Sequence, residues 1–183
     1  MSEKHVVQHC APTLAGIKTG NLFSCACASK KALVASVRKI NRKLVPKGIR
    51  VLPLRFSGKR ALIYVYRPGE LGRALSQKEA AALLKAAGYE NSTPLYCVNE
   101  LIRRLRRMED FPHEIGLFLS YPPEDVRGFI ENKGACSKCV GCWKVYGDEN
   151  AARNLFERYK LCTADFCEQW HNGVSLEELA EAI

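Results

Sequence analysis

IRVLPLRF (residues 49–56) and RALIYVYR (60–67), joined by Ser57-Gly58-Lys59, decide the fold of this chain. Both runs are dense in β-branched, aromatic and aliphatic residues, and the short turn between them predicts a β-hairpin. Pro53 has no N–H to give to a ladder, so the first run belongs at an edge or carries a bulge. Upstream, Leu33, Val37, Ile40 and Leu44 form one helical apolar stripe, with Ser29 as N-cap and Pro46 and Gly48 as the stop. Lys31, Arg38 and Arg42 occupy the opposite face of that helix.

Downstream, Ser76 and Glu79 have the spacing of a capping box for a helix ending near Gly88. Thr93-Pro94 opens another helix, with Val98, Leu101, Ile102 and Leu105 inside and Arg103, Arg104, Arg106 and Arg107 outside. EIGLFLSYP (114–122) reads as a short buried strand, and PEDVRGFIENKG as a helix with Glu124 and Asp125 in its first turn. Asp148 starts a long helix whose seam is Leu155, Phe156, Tyr159, Cys162, Phe166 and Trp170, with Thr163 as a point of recapping. Asn172-Gly173 closes it, and Ser175 with Glu178 caps a last turn. In residues 1–28, Pro12, Gly16 and Gly20 interrupt any long element. The expected class is α+β: a single domain over residues 1–183, with several helices packed on a small sheet containing one hairpin, and a cysteine-rich loop at 134–147.

With 183 residues, 47% hydrophobic and 26% charged, the chain has globular composition. It has no apolar run of membrane-spanning length, and MSEKHVVQHC lacks the apolar core of a signal peptide, so a cytoplasmic protein without membrane contact is expected. The nine cysteines, an odd number, are then expected as reduced thiols. The net charge of +9 invites a nucleic-acid partner. The basic residues are spread, however, without a block of five in a row, and solvated helix faces account for most of them.

Cys136, Cys139 and Cys142, in the run CSKCVGC, carry the strongest chemical signal. Thiolates at three-residue intervals can converge on one soft metal ion or cluster, which points to zinc or an iron–sulfur cluster. The ferredoxin-type spacing would place a fourth cysteine at position 146, where Tyr146 stands. A fourth ligand must come from elsewhere or be missing: Cys167 is the favoured source, with Cys162, His171, Cys97 and the Cys25/Cys27 pair as alternatives.

Other residues are candidates for a pocket. His9 and Cys10 pair an imidazole with a thiol, though neighbours in sequence seldom face one site. Lys18 lies in LAGIKTG, which lacks the order of a phosphate-binding loop. His113 and Glu114 precede the buried 114–122 run, and Tyr121, Glu124 and Asp125 end it. These residues suit acid–base work or simple complementation of a helix dipole. Trp143 and Tyr146 flank the thiols, where they can stack on a flat ligand or cover the core.

HCAPTLAGIKTGNLFSC (9–25), LPLR with ALIYVYRPGEL (52–71), FPHEIGLFLSYPPEDVRGFIENKG (111–134) and CVGCWKVYGDE (139–149) resemble one bacterial family, the domain of unknown function thirty-seven ninety-three. The resemblance runs along essentially the whole chain. It implies a single-domain cytoplasmic protein of anaerobic bacteria, found beside iron-transport and flavodoxin genes. Redox or metal chemistry, with a redox partner such as a flavodoxin, follows from that; no catalytic residue does. Three readings stand: a metal- or cluster-binding protein with a redox, iron-handling or sensing role; an enzyme for a small anionic substrate, its pocket drawn from residues 9–19 and 113–125; and a nucleic-acid-binding module. The first is favoured.

Overall fold

The computed structural model describes residues 1–91, 93–107 and 111–180. Its elements are helices with a small antiparallel sheet, an α+β fold. Two compact units make it up: Met1–Gly69 with Tyr159–Ile183, and Glu70–Arg158.

In the first unit, β2 (Arg50–Ser57) and β3 (Arg60–Tyr66) form the expected hairpin. The register slips between Pro53 and Arg55, so Leu54 is the extra residue of a bulge. The strand order β1-β3-β2 puts β2 at an edge, where the missing N–H of Pro53 costs least. The third strand, β1 (Gly20–Ala26), and α1 (Glu3–Leu14) both fall in the segment expected to be irregular. Gly16 does not interrupt α1 but terminates it. At φ +73 it bonds back to Thr13 O at 3.3 Å, while Ile17 N bonds to Pro12 O at 3.0 Å. That is a Schellman ending, which favours glycine.

Val6, Val7, Cys10 and Leu14 of α1 meet Leu33, Val37, Ile40 and Leu44 of α2 (Lys30–Leu44) in one core. Phe23, Cys25, Val51, Ile63 and Val65 of the sheet join it. The N-cap of α2 is Ser29, as expected, its hydroxyl accepting from Ala32 N. Arg67 is buried, with its guanidinium donating to the carbonyls of Thr13 (2.8 Å), Leu14 (2.6 Å) and Lys47 (3.2 Å). A fixed cation there complements the negative end of α1. Lys43 ties Glu3 (3.1 Å) to Glu177 (3.0 Å), joining α1 to the closing helix α9 (Leu176–Leu179), whose Ser175/Glu178 capping box is formed.

In the second unit, α3 (Pro68–Ser76) and α4 (Lys78–Ala86) replace the single capped helix expected there. Ser76 is the last residue of α3, its hydroxyl donating back to Gly72 O, and the N-cap position of α4 falls on Gln77, without a side-chain cap. The next helix, α5 (Pro94–Arg107), has the expected start and buries Val98, Leu101 and Leu105. Arg104 does not face outward: it pairs with Glu100 and lies 4.5 Å over the Tyr89 ring. The run at 114–122 is buried but is not a strand. It forms one helical turn, α6 (Ile115–Phe118), and reverses at Ser120 (φ +61), so that Tyr121 N bonds to Gly116 O. A short apolar run fits either state, and here burial is achieved without a sheet partner. After α7 (Pro123–Glu131), a two-stranded hairpin of β4 (Cys139–Val140) and β5 (Lys144–Val145) holds the cysteine run.

The 23-residue α8 (Glu149–His171) crosses the boundary between units. Asp148 caps it, and Thr163 does not recap it, its hydroxyl donating to Tyr159 O within an unbroken helix. Among the described residues, no helix is long and apolar enough to cross a membrane.

Candidate functional site

Asp125 organises the cysteine hairpin. It stands in the first turn of α7, and only 3% of its surface is exposed. One carboxylate oxygen accepts from Trp143 Nε1 at 2.7 Å; the other accepts from the backbone N–H groups of Tyr146 (2.6 Å) and Gly147 (2.7 Å). A buried carboxylate with three donors is fully committed, so Asp125 holds the loop in place rather than serving as a free acid or base.

Further ties close the hairpin. Lys138 donates to Gly147 O and Lys144 to Gly134 O, each at 2.6 Å, and Tyr121 OH donates to Cys142 O at 3.2 Å. Tyr121 stacks on Trp143 with 4.7 Å between ring centroids, and Trp143 meets Phe156 edge-on at 4.5 Å. Trp143, one of the two aromatics that flank the thiols, is buried against Tyr121 and Phe156. Two glycines permit this packing. A β-carbon at Gly128 would lie 2.4 Å from Tyr146 Cγ, and one at Gly141 would lie 2.2 Å from Phe156 Cε2.

On this frame Cys136 and Cys142 are exposed and Cys139 is half-buried. Cys136 adopts φ +57, uncommon for a residue with a side chain, directly after Lys133 (φ +50) and Gly134 (φ +77) turn the chain out of α7. The thiols have different neighbours. Cys136 lies toward Tyr146, whose hydroxyl is pushed up by burial and then by that thiol. Cys139 lies toward Arg153, and Cys142 beside Tyr121. The Tyr146 hydroxyl is buried with no hydrogen-bond partner among the described residues. Among those residues, too, no three Cys, His, Asp or Glu side chains gather as a metal-holding group. Cys167 lies in the part of α8 that belongs to the first unit, half-buried against that unit's core.

Cys162 is likewise half-buried against the first unit's core, and the other four thiols are buried. Cys10, Cys25, Cys27 and Cys97 are all inside. Burial holds Cys10 and Cys25 above the usual thiol range and pushes Cys97 up to about 11. All four pack as small hydrophobes, and Cys10, Cys25 and Cys97 stay protonated at neutral pH.

The other candidates are divided between the two units. His9 is exposed, stacked on Phe23 at 5.0 Å, and partial burial followed by neighbouring His5 lowers its pKa. Its neighbour Cys10 faces the core, so the two do not form a thiol–imidazole pair. Lys18 is buried, its ammonium 5.2 Å from the centre of the Tyr159 ring. His113 is exposed against Phe129, and Glu124 is exposed. Glu114 is buried, accepting from Tyr89 OH at 3.2 Å with Arg104 at 3.6 Å. The 9–19 segment and the 113–125 segment belong to different units.

Residues 6–180 match the model of a family described as a protein of unknown function (DUF3793). No curated protein and no solved structure matches the chain.

Proposed function

The chain belongs to the DUF3793 family, and we propose that its working element is the thiol hairpin at 136–142, which takes up zinc or an iron–sulfur cluster in a redox, iron-handling or sensing role. The observation that carries this reading is the contrast among the cysteines. Four are sealed in the two cores, whereas Cys136 and Cys142 are exposed on a hairpin pinned from beneath by Asp125. Pinning the backbone lowers the entropy cost of assembling ligands, and soft thiolates select soft metals.

Cys136, Cys139 and Cys142 would supply three thiolates, each losing its proton on binding. The fourth position stays open to substrate or partner. The orphaned Tyr146 hydroxyl would donate to the Cys136 thiolate, a supporting hydrogen bond of the kind that tunes metal sites. A bound cluster supplies one-electron chemistry, and a redox partner such as a flavodoxin would exchange electrons at the exposed thiols.

The test is metal and acid-labile sulfide content, with an absorption spectrum, on protein purified without oxygen. About one zinc, or about four iron with four sulfide, per chain is expected, and Cys139→Ser should lose it. Metal-free protein whose content does not respond to added metal overturns the reading.

A further inference from the structure

The charge of this protein is divided unequally. The first unit holds 15 of the 28 basic residues but 6 of the 19 acidic ones, while the second holds 13 of each. The whole net charge of +9 therefore sits in the first unit, and residues 4–69 contain no Asp or Glu at all. Among the described residues, four cations of the second unit find carboxylates: Arg73 pairs with Glu70, Arg103 and Arg104 with Glu100, and Arg153 with Glu149. On α2 only Lys43 does so. Lys31, Arg38, Lys39 and Arg42 are exposed, and none of them meets a carboxylate among the described residues. Like charges four apart, as at Arg38 and Arg42, weaken a helix, so local stability does not account for this face.

We propose that the outer face of α2 binds nucleic acid through its phosphate backbone, without sequence preference. The buried stripe of Leu33, Val37, Ile40 and Leu44 fixes the orientation of the helix and leaves the basic residues outward. Arg38 and Arg42 open onto a groove of about 550 Å³, completed by Asn41, Val45 and Pro46. Asn41 is not free to read a base: its amide donates to Val51 O and accepts from Val51 N, each at 2.8 Å. The rest of the lining is largely apolar, so the two guanidinium groups are the part of this face that suits phosphates.

Two other polyanionic partners fit less well. A membrane-binding helix inserts its apolar face, but that of α2 is used in the core. Protein interfaces anchor on aromatic side chains, and α2 has none. Nucleic-acid interfaces are instead polar and strongly positive. The lack of a stacking platform is what makes the backbone, rather than the bases, the target. This inference does not rest on the thiol hairpin.

Fluorescence anisotropy of the full chain against labelled 20-nucleotide RNA and a 20-base-pair duplex tests it. With about three phosphate contacts, affinity should fall roughly 20- to 40-fold between 50 and 200 mM salt, and vary little with sequence. Arg38→Glu/Arg42→Glu should weaken binding at least tenfold, Arg38→Gln/Arg42→Gln less so, with circular dichroism unchanged in both. Arg106→Glu/Arg107→Glu, on α5, should leave binding as it is. Absence of binding at 50 mM salt, loss caused by the α5 variant instead, or binding only to phosphatidylserine vesicles overturns the proposal.

Discussion

Asp125 illustrates how one side chain organises a site without acting in it. Its two oxygens satisfy an indole N–H and two backbone N–H groups, and all three donors belong to the cysteine hairpin or its end. Asp125→Ala leaves those donors unpaired in a buried place, a loss of about 3–5 kcal/mol. Asp125→Asn, which still accepts through one oxygen, should cost roughly 1–3 kcal/mol. Urea unfolding reads both. Unchanged stability in the alanine variant would show that the hairpin does not depend on this anchor. From sequence, Asp125 was legible as a first-turn acid and as a pocket candidate. Its partners lie 18 to 22 residues away, beyond what local patterning reports.

Elements were legible where local rules were strong. Ser29 and the stripe of α2, the β2–β3 hairpin with its bulge after Pro53, and the Ser175/Glu178 box all follow from adjacent residues. The misreadings have physical causes. Ser76 stays helical at the end of α3, its hydroxyl donating to Gly72 O, so the start of α4 shifts by one residue to Gln77. The 114–122 run had the composition of a strand but no partner strand to pair with. For α1 the signal was present: Val6, Val7, Cys10, Ala11 and Leu14 make a helical stripe, and Gly16 is its left-handed cap rather than a break. At the level of element packing, α7 meets the cysteine hairpin so closely that a β-carbon at Gly128 would drive into the Tyr146 ring. Gly128→Ala should therefore destabilise by about 1–3 kcal/mol through overpacking, despite its better helix propensity. A thermal midpoint equal to or above that of the parent protein would contradict that packing.

Across the whole molecule, buried thiols link stability to pH. Burial of Cys97 pushes its thiol up to about 11, against 9.0 for a free thiol. The unfolded chain thus releases this proton first, so the unfolded state binds fewer protons between those values and stability falls as pH rises through that window. Cys10 and Cys25, also held high by burial, act in the same direction. The urea midpoint should drop between pH 8.5 and 10.5, and Cys97→Ala should flatten the drop; an identical slope in the variant would remove Cys97 as its source. At this scale, too, the charge has an order that a search for basic runs does not report: the basic residues are spread, but the acids are not. The acid-free run at 4–69 is visible in the sequence, but its meaning depends on which residues share a compact unit.

By itself the sequence determined the α+β class, the starts of α2, α5, α7, α8 and α9, the hairpin and the family, because periodicity, caps and turn chemistry act over a few residues. Only the tertiary structure decided which cysteines are sealed and which are exposed, which acid anchors the thiol hairpin, and that residues 159–183 complete a unit begun at Met1. Those outcomes depend on contacts between segments far apart in the chain, where burial and hydrogen-bond satisfaction, rather than local propensity, choose among alternatives.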